Sequence, residues 1–130
     1  MQNKTTARLL EVLKKPTLAF SEKLRLISRV TPQLDAVSLV QALSVLIGAA
    51  AEGRASYNDL NALCEAGDHM EMLHDYLRAF FQQGGTDERR VEMARRLEEI
   101  VSFRMSQNTA REQDRKLGNT LAEYLLRARN

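Results

Sequence analysis

The sequence holds little of what builds disulfide-rich or membrane proteins. Its 130 residues include one cysteine, two prolines and no tryptophan. One cysteine excludes a disulfide framework, and no apolar run reaches the roughly 18 uninterrupted residues that a membrane span needs. The hydrophobic share of 44% and the charged share of 28% are ordinary for a soluble globular protein. We therefore expect residues 1–130 to form a single domain that folds without disulfides.

Strand patterns are also missing, because no segment alternates apolar and polar residues with β-branched enrichment. Helix start and stop signals are frequent instead. The sequence predicts an all-α fold, a bundle of about six or seven helices. The first helix is expected at residues 5–15 and ends before Pro16. The second helix is expected to run from a Ser21 cap to Val30. Leu26 lies one step off the inner face of the second helix.

A third helix, at about residues 32–52, is predicted to be the centre of the bundle. Its middle reads VSLVQALSVLIGAAA, and a helix that is apolar nearly all round is buried on most sides. Thr31 followed by Pro32 reads as an N-cap and a first-turn proline. Ser38, Gln41 and Ser44 recur every three positions and predict a narrow solvated stripe.

Further caps divide the rest of the chain. Ser56 with Asp59 resembles a capping box, Asp68 with Glu71 is expected to begin the fifth helix, and Thr86 is expected to cap the sixth.

Residues 106–116 hold a single apolar side chain, which is too polar for a core-facing helix. We expect this polar joint to break the chain, with Thr109 and Glu112 starting a last helix that can stand apart from the bundle. Continuation of one helix through solvent is the alternative. The stripe Leu121, Tyr124 and Leu125 would suit docking or a homodimer seam, and it would equally allow the last helix to close the bundle.

Charge is small in sum and uneven along the chain, with a formal net charge of +2. Residues 1–30 carry seven basic and two acidic side chains, residues 31–85 two basic and seven acidic, and residues 86–130 ten basic and eight acidic. One interpretation is that the basic ends pack around the acidic middle, within one copy or in a dimer. The other is that a basic face meets an acidic partner or nucleic acid.

No arrangement of residues predicts catalysis or metal binding. Glu71, His74 and Asp75 share one helix face, which we expect to be a solvated acidic surface. His69 and His74 are five residues apart, whereas a metal-binding pair on one helix needs a spacing of four. Cys64 would need a base such as His69 close by to act as a nucleophile. We expect a non-enzymatic protein with no cofactor and no metal.

Nucleic-acid binding is the second-ranked function. Residues 56–83 have the length and central glycine of a helix-turn-helix, but Asp68 and Glu71 begin the would-be recognition helix and would repel phosphate. The Arg-rich segments are better candidates, although Glu92–Arg96 and Arg95–Glu99 can pair as on any exposed helix. In this alternative, the protein is a nucleic-acid-binding regulator of the transcriptional type or of the phage or plasmid accessory type.

The first-ranked function is binding of another protein, as a regulator, adaptor or chaperone-like accessory protein acting through helix-mediated contacts. A homodimer is a further alternative, and no membrane contact is expected. Residues 1–15 lack the apolar core of a signal peptide, so the cytoplasm is the expected location. The partner-binding residues predicted from the sequence are Arg89, Arg90, Arg95, Arg96, Arg111, Arg115, Leu121, Tyr124 and Leu125.

Overall fold

The computed structural model describes residues 4–107 and 111–129, and within them it has helices and no strand. The elements are α1 (Lys4–Leu13), α2 (Phe20–Val30), a 3-10 turn (Thr31–Gln33), α3 (Ala36–Ala51), α4 (Tyr57–Ala66), α5 (Glu71–Gln83), α6 (Glu88–Ser106) and α7 (Glu112–Arg129). The predicted all-α class is confirmed. No described helix is long and apolar enough to cross a membrane.

The predicted central helix is confirmed as the middle of the core. α3 packs against α1, α2, α5 and α6, and its Leu43, Leu46 and Ile47 are almost wholly buried. Around it, α4 packs on α2 and α6, while α7 packs on α5 and α6. The buried apolar side chains of all seven described helices join one core cluster.

The start of α3 differs from the prediction. Residues 31–33 form a separate 3-10 turn, and α3 begins at Ala36 behind an Asp35 cap. The Asp35 carboxylate accepts from the Ser38 backbone N–H at 2.7 Å, and this hydrogen bond lowers the pKa of Asp35. The Thr31 hydroxyl instead donates to the Ile27 carbonyl at the end of α2. Thr31 therefore ends one helix and does not begin the next.

The solvated stripe predicted on α3 is confirmed only in part, because Ser44 is exposed and Gln41 is half-buried, but Ser38 is not in solvent. Ser38 is buried and accepts a hydrogen bond from the Thr6 hydroxyl of α1 at 3.1 Å. The exposed side of this part of α3 carries Val37 and Val40, which are 69% and 41% exposed. α1 packs on α3 and covers Ser38, whereas Ser44 is exposed.

Among the remaining caps, the Ser56–Asp59 capping box is confirmed, with both reciprocal hydrogen bonds present. Asp68 does not cap α5, because its carboxylate binds Arg104 and the helix begins at Glu71 without a side-chain cap. Thr86 does not cap α6, since Asp87 accepts from the Arg90 backbone N–H.

The break in the polar joint is confirmed, because α6 ends at Ser106 and α7 begins at Glu112. The predicted cap Thr109 lies outside the described residues. α7 does not stand apart: it packs along α6 and α5, and Leu117, Leu121 and Tyr124 enter the core.

Candidate functional site

α1 and α2 each bury a stripe of apolar side chains in the core and carry further apolar side chains at the edge of that stripe. α1 buries Leu9 and Leu13 and leaves Val12 half-buried. α2 buries Leu24 and Ile27 among others and leaves Leu26 and Val30 half-buried. These extra positions follow from periodicity, since a side chain one or three residues from a buried position sits at the edge of the buried stripe.

The edge positions line two adjoining pockets of about 250 and 260 Å³ that share Val12 and Leu26. We call the two together the α1–α2 groove. Its lining residues are Thr5, Arg8, Leu9, Val12, Leu18, Glu22, Arg25, Leu26, Arg29 and Val30. Five of the ten are aliphatic and none is aromatic, so the groove has an apolar floor of branched side chains.

The border of the groove is basic. Arg8 lies on α1, Arg25 and Arg29 lie on α2, and all three are exposed. The acidic lining residue, Glu22, pairs with Arg25 at 3.4 Å. Within residues 4–107 and 111–129, Arg8 and Arg29 form no ion pair. Two guanidinium groups beside the groove are therefore available to an incoming anion.

The ion pairs show how the basic ends of the chain relate to its acidic middle within one copy. In the described part, no ion pair joins residues 4–30 to residues 31–85. The basic C-terminal third does reach the acidic middle, through Arg104 and Arg111 on Asp68. Both basic ends therefore pack on the middle of the chain within one copy, but in the described part ion pairs reach the acidic middle only from the C-terminal third.

Two of the arginines predicted to bind a partner are folded onto the protein. The Arg89 guanidinium donates to the Glu52 carbonyl at the end of α3, at 3.3 Å. Arg90 lies over the Phe80 ring, 4.3 Å from its centroid, which is a cation–π contact. Both side chains support the start of α6.

The next two arginines, Arg95 and Arg96, remain exposed on α6. Both pair with Glu92, at 3.7 and 3.2 Å. The expected Glu92–Arg96 pair is thus present, while Arg95 pairs with Glu92 and not with Glu99. These are surface pairs of the kind that add little stability.

The last two arginines of the prediction flank the start of α7. Arg111 donates to the Asp68 backbone carbonyl at 3.3 Å, and Arg115 pairs with Glu112 at 3.5 Å. Both guanidiniums are more than half exposed, so they stay accessible while they hold these contacts.

The apolar part of the predicted site lies largely inside the molecule. Leu121 is 0% exposed and Tyr124 is buried, whereas Leu125 is half-buried. The Tyr124 hydroxyl donates to the Gly85 carbonyl at 2.7 Å. One turn further, Arg127 donates to three carbonyls near the end of α5. This face of α7 fastens the helix to α5.

A partly buried ionic cluster joins three parts of the chain. Arg104 Nε donates to Asp114 at 3.0 Å, and Arg104 Nη2 donates to both oxygens of Asp68 at 2.8 and 2.9 Å. Burial alone would lower the pKa of Arg104, but the hydrogen bonds and charges of Asp114 and Asp68 outweigh it and raise that pKa. Asp114 also accepts from the Arg111 backbone N–H. The charged groups of the cluster bind one another, so we interpret the cluster as a structural contact between helices.

Cys64 and the two histidines differ in their exposure to solvent. Cys64 is fully buried in α4, and burial raises the pKa of its thiol to about 12. His69 is exposed on the connection to α5. His74 is buried against Gly67, so the expected solvated face of α5 keeps Glu71 and Asp75 but not His74. Among the described residues, no group of three or more His, Cys, Asp or Glu could hold a metal.

The segment 56–83 contains α4 and α5, whose main packing partners differ. α4 packs on α6 and α2, and α5 packs on α7 and α3. α5 directs Leu73, Leu77 and Phe81 into the core, and Glu71 begins it on the exposed side. Acidic side chains in the first turn would repel DNA phosphates and hinder contact with the base edges.

The chain matches no protein-family model, no curated protein and no solved structure. The site must therefore be interpreted from its own residues. The α1–α2 groove combines an apolar floor with two guanidiniums, of Arg8 and Arg29, that form no ion pair in the described chain.

Proposed function

We propose that this chain is a non-catalytic protein-binding domain, of the regulator, adaptor or chaperone-like kind, and that it binds its partner in the α1–α2 groove. The observation that carries the proposal is the aliphatic floor of Val12, Leu26 and Val30, open to solvent between two helices. Covering such a concave apolar surface removes it from water, which is the main favourable term in protein association.

The proposal includes no chemical step. A buried thiol with a raised pKa stays protonated near neutral pH and is a poor nucleophile. The carboxylates of the ionic cluster are held by Arg104. The same proposal places the protein in the cytoplasm, since its cysteine is a free thiol.

The sequence pointed to α6 and α7 as the binding surface, and we now favour α1 and α2. Leu121 and Tyr124 are in the core, where no partner can touch them without unfolding the protein. Arg95 and Arg96 are accessible, and Arg95 lines a cavity of about 360 Å³, but two glutamates share that lining and both arginines already pair with Glu92. They serve as the matched comparison for the groove.

The experiment is affinity capture from native extract with the wild-type chain and with Leu26→Glu, which places a charge on the groove floor. Val37→Glu is the control, because it makes the same change at an exposed apolar site on α3. The proposal predicts proteins that the wild type and V37E retain and that L26E loses. Identical capture by all three would contradict it.

Nucleic-acid binding is the second candidate, favoured by the exposed basic excess of residues 4–30. It is tested by fluorescence anisotropy with a random-sequence duplex at several salt concentrations. Micromolar binding that falls steeply with salt would support phosphate contacts. No binding at low salt would remove this candidate. A homodimer is tested separately, by light scattering over a range of protein concentrations.

A further inference from the structure

We infer that the occupant of the α1–α2 groove is an amphipathic α-helix with acidic side chains along its flanks. The inference rests on the proposed function and adds the shape and charge of the partner segment. It is carried by the placement of Arg8, Arg25 and Arg29 along an aliphatic groove.

The groove has the length and shape of a short helix. Its lining on α1 runs from Thr5 to Val12, and its lining on α2 runs from Glu22 to Val30. At a rise of about 1.5 Å per residue, these stretches are about 10 and 12 Å long. Two or three turns of a partner helix would lie along them, with apolar side chains at i, i+3 or i+4 and i+7 on the floor.

The other common ways of binding a peptide do not fit these residues. Strand addition needs a sheet edge, and the described part of the chain has no strand. Polyproline recognition uses grooves lined by aromatic rings, and no ring lines this groove. A helix laid in the groove satisfies its own backbone hydrogen bonds and needs from the protein only apolar contact and matching charge.

The charges favour an acidic partner. The three arginines outnumber Glu22, which already pairs with Arg25. The surrounding residues 1–30 carry seven basic and two acidic side chains in all. Carboxylates on both flanks of a bound helix could pair with Arg8 on one side and Arg29 on the other, and the wider basic field would speed the encounter.

A helix suits the groove better than a lipid surface does. The apolar side chains Val12, Leu26 and Val30 are half-buried between two helices and do not project as a ridge. A concave floor contacts a rod along its length, whereas insertion into a membrane requires an apolar face that protrudes. Anionic vesicles are therefore included in the test as a contrasting outcome.

The test uses a labelled acidic peptide of about 18 residues, designed as an amphipathic helix with leucines on one face and glutamates on its flanks. A twin with lysine in place of every glutamate tests charge. A twin with two central prolines tests helicity. Fluorescence anisotropy gives the Kd of each peptide for the full chain, and vesicles containing phosphatidylserine are measured by co-sedimentation.

Two variant pairs locate the site. Leu26→Glu is compared with Val37→Glu, and the double variant Arg25→Glu with Arg29→Glu is compared with Arg95→Glu with Arg96→Glu. Each pair makes the same chemical change inside and outside the groove. The double variant at the border alters exposed side chains only, so it remains informative if Leu26→Glu weakens folding.

We expect the acidic helix to bind, with Kd raised at least about tenfold by Leu26→Glu and by the Arg25/Arg29 reversal and changed less than about twofold by either control. The lysine and proline twins should bind at least about tenfold more weakly than the acidic helix.

Equal binding of the lysine twin or of the proline twin would overturn the inferred occupant. So would loss of binding on reversal of Arg95 and Arg96 but not of Arg25 and Arg29. If extract proteins are lost by L26E while no acidic helix binds, the occupant is wrong and the proposed function survives. Binding to vesicles alone, with no protein lost from the extract, would overturn both.

Discussion

Arg104 and Asp114 are joined by a hydrogen bond of 3.0 Å between neighbouring helices, and the Asp114 side chain is 0% exposed. The same guanidinium binds Asp68 at 2.8 Å, on the connection between α4 and α5. One arginine therefore ties the end of α6 to the start of α7 and to a third point in the chain. A buried charge that loses its partner is strongly destabilising, because nothing else replaces its hydration.

Asp114→Ala is expected to lower the free energy of unfolding by roughly 3 to 5 kcal/mol, since it removes a fully buried carboxylate and leaves the largely covered Arg104 with only Asp68 as its partner. Urea unfolding followed by circular dichroism measures this. Glu112→Ala is the matched control, because it removes the partner of an exposed arginine, Arg115, and should change stability by less than about 1 kcal/mol. Equal effects of the two substitutions would show that the cluster is not stabilising.

Gly67→Ala is expected to destabilise the protein by about 1 to 3 kcal/mol, the usual range for overpacking. A Cβ at this position would overlap the buried His74 ring. Gly85→Ala is the control, since a Cβ there meets nothing within 4 Å. If the ring is the cause, the effect of Gly67→Ala should shrink in a His74→Ala background. An unchanged effect in that double variant would contradict this explanation.

The helix class and several ends of elements follow from local rules that the sequence carries. The Ser56–Asp59 box was predictable because both partners lie within one turn. Asp35 and Asp87 were missed as caps because Thr31 and Thr86 look equally suitable. The local pattern does not distinguish these candidates, and the hydrogen bonds of the structure identify the two aspartates as the caps.

The candidate groove was not predictable, because it depends on how α1 lies beside α2. The only signal was Leu26, which sits one step off the inner face of its helix. Conversely, a stripe such as Leu121 and Tyr124 looks the same in sequence whether it packs inside the fold or against a second copy. The three-dimensional arrangement assigns it to the core.

Cys64 is expected to resist thiol reagents in the folded protein and to react readily in urea. Burial raises the pKa of its thiol from 9.0 to about 12, so the unfolded state ionises first as the pH rises. Above about pH 9 the unfolded chain loses a proton that the folded chain keeps, and this group then lowers stability. Labelling with a chromogenic disulfide reagent checks the first point. Equal rates with and without urea would contradict it.

Leu121→Asp is expected to unfold the protein, lowering stability by more than about 3 kcal/mol, because it puts a charge into the core. Leu126→Asp on the same helix is the control: Leu126 is 60% exposed, and its replacement should leave the helix content unchanged. Circular dichroism and light scattering measure both variants. A folded L121D chain that merely changes from dimer to monomer would instead make this stripe a dimer seam.

The most direct test of the binding site is amide chemical-shift mapping of the full chain on addition of the acidic helical peptide. The account predicts shift changes concentrated on α1 and α2, around Val12 and Leu26, with α6 and α7 nearly unchanged. Changes concentrated around Arg95 and Arg96 would contradict the assignment of the groove and return the binding surface to α6.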